Sequence, residues 1–176
     1  MNRIIISILL MCISVGAVAQ KPRKHKRQEF TLESVQVKND SGEITAVRID
    51  VFLKGKRVQE FTYRLPDIPN QAQAPAIGKF TETDLNFDGV ADVDIYLGYW
   101  GANANDVCYG AMLWDKKHYC FIMAEGYAEL AGPMVDKKKK CIYTNLRNGT
   151  NQRIIDYYKW EGNKLKHSGS EVLDIE

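Results

Sequence analysis

The sequence predicts a mainly β protein, a single antiparallel sheet or sandwich domain, and three observations carry that prediction. Short segments of alternating apolar and polar residues recur along the chain, which is the period of a half-buried strand. Turn-forming clusters such as N-D-S-G, K-G-K and E-G-N separate them. No long stretch carries apolar residues at helical spacing, and only Ala124 to Leu130 has room for a turn or two of helix. Short strands at this spacing build antiparallel sheets, sandwiches or barrels.

The N-terminus reads as an export signal. Arg3 supplies a positive n-region, Ile4 to Val15 an apolar h-region, and Ala17-Val18-Ala19 a cleavage site. Residues 1–19 are therefore assigned as a signal peptide, with Gln20 as the mature N-terminus and a periplasmic or secreted address. The apolar run is short for a membrane-spanning helix. Lipidation at Cys12 is disfavoured, because Met11 stands where a lipobox needs a small residue. Of 176 residues about 157 remain, one domain's worth, assigned as a basic disordered leader at 20–28 and a β-rich domain at 29–176. The net charge of +2 comes from Lys21, Arg23, Lys24, Lys26 and Arg27 in that leader. Setting these and Arg3 aside leaves 18 of the 24 basic residues against 22 acidic ones, so the body is mildly acidic and gives no sign of nucleic-acid binding.

Strands are then expected at Phe30 to Val37, Ile44 to Leu53 and Arg57 to Tyr63, each bounded by a turn. The segment L-P-D-I-P-N-Q-A-Q-A-P reads as an irregular connection. Ala76 to Thr83 and Asp92 to Tyr99 flank a loop discussed below. Val107 to Trp114 and His118 to Met123 lie on either side of a D-K-K turn, and Cys141 to Leu146, Arg153 to Trp160 and Lys164 to His167 complete the set. Lys137 to Lys140 reads as a solvated hairpin turn. Cys108, Cys120 and Cys141 remain in the mature chain, with Cys120–Cys141 the first candidate for a disulfide in an oxidising compartment. Their spacings match no zinc motif.

The stretch with the most chemistry is Asp84 to Asp92, D-L-N-F-D-G-V-A-D. Asp84, Asn86, Asp88 and Asp92 place oxygen-bearing side chains at loop positions 1, 3, 5 and 9. Gly89 permits the sharp turn at position 6, and the carbonyl of Val90 adds a backbone ligand at position 7. Ca²⁺ takes six to eight oxygens at about 2.3–2.6 Å, and alternate inward side chains on a tight loop supply them. An EF-hand would place a bidentate Glu at position 12, whereas this chain has Ile95 inside an alternating strand. The expectation is a structural calcium site of about 10⁻⁴–10⁻³ M affinity, suited to an extracellular module.

Directly after that strand comes G-Y-W-G-A-N-A-N-D-V, Gly98 to Val107. Tyr99 and Trp100 are aromatics of the kind that anchor interfaces. Gly101 allows close backbone turns, and Asn103 and Asn105 offer paired donors and acceptors. These five form the candidate partner-binding loop; the bland alternative is a turn with its aromatics folded onto the core. No catalytic residue is assigned. The chain has no H-E-x-x-H, G-x-S-x-G, P-loop or C-x-x-C, and the carboxylates cluster where they would be ligands rather than an acid/base pair. His167-Ser168 invites a triad reading that local sequence cannot establish.

The D-x-N-F-D-G-x-x-D loop, the strand, the G-Y-W-G-A-N-A-N loop and the Y-G-A-M-L-W-D strand together resemble secreted bacterial calcium-binding proteins related to periplasmic lysozyme inhibitors and peptidoglycan-hydrolase immunity lipoproteins. The resemblance covers roughly Phe80 to Trp160. It implies a β-rich fold, metal ligands at Asp84, Asn86, Asp88 and Asp92, and an inhibitory loop at Gly98 to Asn105 that enters the cleft of a lysozyme or lytic transglycosylase. Tyr99-Trp100-Gly101-Ala102 stands where that group has a serine- and glycine-rich pattern. The nine-residue loop is also similar to the integrin-type FG-GAP calcium loop, which implies a structural role alone. The sequence thus points to a calcium-binding protein that inhibits a peptidoglycan hydrolase. The alternative is a calcium-stabilised envelope or adhesion module recognising glycan or protein.

Overall fold

The computed structural model describes residues 26–65, 76–99 and 107–175, and the chain they trace is built almost wholly of antiparallel strands. β1 (Phe30–Lys38), β2 (Ile44–Leu53) and β3 (Lys56–Arg64) form a first sheet in chain order. β4 (Phe80–Thr83), β5 (Asp92–Tyr99), β6 (Val107–Asp115) and β7 (Cys120–Met123) form a second. β8 (Met134–Asp136), β9 (Cys141–Asn148), β10 (Gln152–Glu161) and β11 (Lys164–Asp174) form the third. The expected mainly β, antiparallel class holds, partitioned into three sheets. The expected helical turn near Ala124 to Leu130 is one turn of 3-10 helix at Tyr127–Glu129.

Two cores lie on opposite faces of the second sheet. Val93, Ile95 and Leu97 of β5 and Met112 and Trp114 of β6 pack with Ile44, Val47, Ile49, Val51 and Tyr63 of the first sheet. From the other face, Ala111 and Leu113 meet Tyr127, Ile142 of β9 and Leu165 of β11. The middle sheet is therefore covered on both sides, which is why V-C-Y-G-A-M-L-W in β6 is apolar at nearly every position. Close approach of the first two sheets is fixed by Gly110. A Cβ there would sit 2.5–2.9 Å from the Tyr63 ring, whose hydroxyl donates to the Ala111 carbonyl at 2.7 Å. Burial pushes that hydroxyl's pKa up.

Side chains and backbone also tie the layers together. Gln59 of β3 both donates to and accepts from the Phe121 backbone of β7, at 2.8 and 3.0 Å. Glu125 exchanges backbone hydrogen bonds with the β10–β11 turn through Asn163 and Leu165, each 2.9 Å. Arg27, which the sequence places in the basic leader, is buried against the Phe121 ring and pairs with Glu82 at 2.6 Å. The expected Cys120–Cys141 disulfide is not formed: Cys108, Cys120 and Cys141 are free thiols. The physical reason is topological, since Cys120 lies in β7 of the middle sheet and Cys141 in β9 of the third.

Candidate metal loop and the strand it opens

Register pairing of Thr83 with Asp92 makes residues 84–91 the connection of the β4–β5 hairpin. Both cores grip this loop. Leu85 is fully buried in the second core and its carbonyl accepts the Trp160 indole N–H at 2.8 Å, while Val90 packs on the first core. Phe87 and Gly89 turn the chain with φ of 63° and 82°. The phenylalanine adopts this left-handed conformation despite its side chain, at a cost the surrounding packing must offset.

The side chains expected as ligands fall into two groups. Asp84 accepts backbone N–H groups of Asp88 and Gly89 at 3.0 and 2.9 Å, Asn86 accepts Asp88 at 3.1 Å, and Asp88 accepts Val90 at 2.8 Å. Positions 1, 3 and 5 thus fold over one turn with carboxylate and amide oxygens, the donor chemistry a hard cation prefers. Asp92 is different. It is 0% exposed, and its carboxylate accepts N–H groups of Leu85, Asn86 and Trp114 at 2.9, 3.2 and 2.8 Å. Burial pushes its pKa up to about 6 against those three hydrogen bonds, with the charge of Asp88 adding to the rise. Among the described residues no three His, Cys, Asp or Glu side chains converge as a ready-made metal cage.

Lys116, in the β6–β7 turn, donates to the Asp88 carbonyl and stands 3.3 Å from its carboxylate. A cationic group therefore already faces the loop at position 5. In the sequence D-K-K shows only a turn, and the hairpin's fold-back is what brings Lys116 to Asp88.

Beyond the loop, Asp94 faces Tyr127, and its Oδ1 is buried without a hydrogen-bond partner. Burial raises its pKa to about 7, with bonds from Tyr127 and the Ile95 backbone acting against the rise. Tyr99 is half-buried and meets Tyr96 edge-on at 6.2 Å, and Tyr96 meets Tyr109 at 5.8 Å. Burial, followed by contact with Tyr99, pushes the Tyr96 hydroxyl up to about 12. Trp100, Gly101, Asn103 and Asn105 lie outside the described residues.

A serine, a histidine and an aspartate do come together on the third sheet. His167 Nε2 contacts both Asp156 at 3.2 Å and Ser170 at 3.0 Å, and Ser170 donates directly to Asp156 at 2.5 Å. A proton relay needs the acid on one ring nitrogen and the hydroxyl on the other. Here one nitrogen serves both, and Ser168 instead donates to the Tyr157 carbonyl at 3.0 Å. The arrangement cross-braces β10 and β11.

No helix among the described residues is long and apolar enough to cross a membrane. No family model and no curated protein matches the chain. Among solved structures, the fold is similar to that of a Xanthomonas type IV secretion system related protein. The two are 13% identical, with 83% of this chain and 78% of that one covered and a TM-score of 0.53. At that identity the likeness concerns the fold.

Proposed function

We propose that this chain is a periplasmic or secreted calcium-binding β-protein that acts by binding rather than catalysis, and that its target is a peptidoglycan hydrolase. The observation carrying the metal reading is the loop at Asp84, Asn86 and Asp88, which turns three oxygen-bearing side chains over a hairpin clamped between two cores. Calcium held there, with Asp92 and the Val90 carbonyl completing or bracing the shell, would neutralise charges crowded into one turn and stiffen the start of β5. β5 ends at Tyr99, so the ion would steady the strand that delivers the partner-binding loop. The resemblance to lysozyme inhibitors supplies the target class.

The Tyr96, Tyr99 and Tyr109 cluster favours a second reading, a calcium-stabilised envelope or adhesion module whose aromatic rings stack on glycan. One experiment separates the two. The mature protein is immobilised in calcium buffer and challenged with cell-envelope extract, and any retained hydrolase is assayed for inhibition. Retention and inhibition of a hydrolase, lost in Tyr99→Ala/Trp100→Ala while circular dichroism stays unchanged, supports the first reading. Retention of glycan without protein supports the second. An EDTA-insensitive melting curve in wild type sinks the calcium claim in both.

A further inference from the structure

The outer face of the third sheet gathers lysines that the sequence scatters. In the β10–β11 register Lys159 stands directly opposite Lys166, so the two side chains share a face. Like charges in that relation are destabilising unless something negative lies between or beside them. Neither lysine has a hydrogen bond or ion pair to a carboxylate among the described residues. Lys139, two residues before β9, is exposed in the turn but is held in place by an aromatic ring. It lies 4.6 Å from the centroid of the Tyr157 ring and donates to that residue's hydroxyl at 3.2 Å. Beside Lys139 and Lys159 is a cavity of about 340 Å³ lined by these two lysines, Cys141, Tyr157 and the Ser168–Ser170 segment.

Local acids do not neutralise the whole patch. Asp136 caps the turn through the Lys138 and Lys139 amides, both 2.9 Å, and Glu171 accepts the Tyr157 hydroxyl at 2.9 Å, so their charge falls on the Lys139 side. Lys159 and Lys166 are left facing each other. Every cation here is an ammonium, a rotatable point charge, and no arginine contributes the planar fork that a carboxylate favours. Ammonium groups from β10 and from the turn before β9 line one cavity, and Lys166 stands beside it opposite Lys159, which suits a tetrahedral anion.

We propose that this cavity binds a phosphate group, held by Lys139 and Lys159 with the Ser168–Ser170 backbone beside it and the Lys166 charge adjacent to Lys159. The group belongs either to a free phosphate ester or to a lipid headgroup. The site is independent of the metal loop and of any hydrolase target.

Backbone-amide chemical shifts of the mature protein are followed during titration with glycerol 1-phosphate at constant ionic strength. In parallel, the protein is sedimented with vesicles of phosphatidylcholine carrying about 30% phosphatidylglycerol, against phosphatidylcholine alone. Expected are saturable shifts at Lys139, Lys159, Lys166 and Ser168–Ser170, or retention on the anionic vesicles. The double variant Lys159→Gln/Lys166→Gln should lower apparent affinity about tenfold or more. Because the basic leader is intact in both proteins, its own attraction to anionic surfaces cancels. The variant's melting temperature should hold or rise as the facing charges are removed, so lost binding is not lost folding. Saturable shifts without vesicle retention assign a free ester, and retention without saturable shifts assigns a lipid headgroup. Binding to neither probe, or undiminished binding by the double variant, overturns the site.

Discussion

Asp92 and Asp88 are both carboxylates of one loop, yet their surroundings give them different work. Asp92 satisfies three backbone N–H groups at the seam between both cores, and its removal leaves those donors buried and unpaired. At about 1–3 kcal/mol for each unsatisfied group, Asp92→Ala should cost several kcal/mol with or without calcium. Asp88 is exposed, accepts the Val90 amide and makes a surface ion pair with Lys116, so Asp88→Ala should change metal-free stability by about 1 kcal/mol or less. Its effect should appear in calcium, where tenfold excess over Kd adds about 1.4 kcal/mol to wild type and nothing to the variant. Lys116→Met removes the ammonium that competes at Asp88 and should tighten calcium binding several-fold. Thermal melts of the three variants in EDTA and in millimolar calcium check the set, and a full calcium response in Asp88→Ala refutes the assignment. Asp94 makes a pH prediction. Its folded pKa is raised to about 7 from 3.8 by burial, so its contribution to stability is fully present below about pH 4 and is lost as pH rises through about 7. In EDTA, Asp94→Asn should flatten that decline, which is on the order of 3–4 kcal/mol. Parallel wild-type and variant denaturation curves at pH 4 and pH 8 would contradict it.

At the scale of elements, the middle sheet shows which parts of the fold were legible beforehand. β5 was readable because Val93, Ile95 and Leu97 alternate with Asp94 and Tyr96, and both faces are indeed buried to different depths. β6 was readable as a strand but not as the central one, since an apolar run states burial without stating against what. β8 escaped notice because three residues are too few to show a period. β11 runs to Asp174, well past the expected His167, because S-G-S-E has no alternation and takes its register from β10. The candidate metal loop was legible as a spacing of oxygens, whereas the pinning of Asp92 by Trp114, 22 residues away, was not. Lys159 facing Lys166 and Lys116 facing Asp88 are likewise products of pairing, and no local pattern announces them. Gly110 is the clearest case of a residue whose reason lies on another element. Its added methyl would collide with the Tyr63 ring, so Gly110→Ala should destabilise by about 1–3 kcal/mol. Gly110→Ala/Tyr63→Leu should recover part of that loss in chemical denaturation. A Gly110→Ala protein as stable as wild type would show that the sheets need no such approach.

The whole molecule is three layers sharing a middle one, and this makes a claim about how it comes apart. Val93 and Ile95 face the first core while Ala111 and Leu113, on the adjacent strand, face the second. Neither outer sheet can leave without exposing one face of strands that the other sheet also covers. Gln59 holds β3 to Phe121 of β7, and Glu125 holds the end of the middle sheet to the β10–β11 turn, so both seams are bonded as well as packed. Such sharing predicts one cooperative transition rather than two. Ile49→Ala, in the first core, and Ile142→Ala, in the second, should each cost about 2–5 kcal/mol, since both side chains are fully buried. Each should lower the same single calorimetric transition, and amide exchange in β2 and β9 should slow or quicken together in both variants. Calcium added to either should raise that one transition, because the loop at Leu85 and Val90 is gripped by both cores. If Ile142→Ala instead releases the third sheet in a separate early transition while β2 amides stay protected, the two cores are independent. The ion would then steady the middle sheet alone, and only the half of the molecule that carries β5 and Tyr99 would respond to calcium.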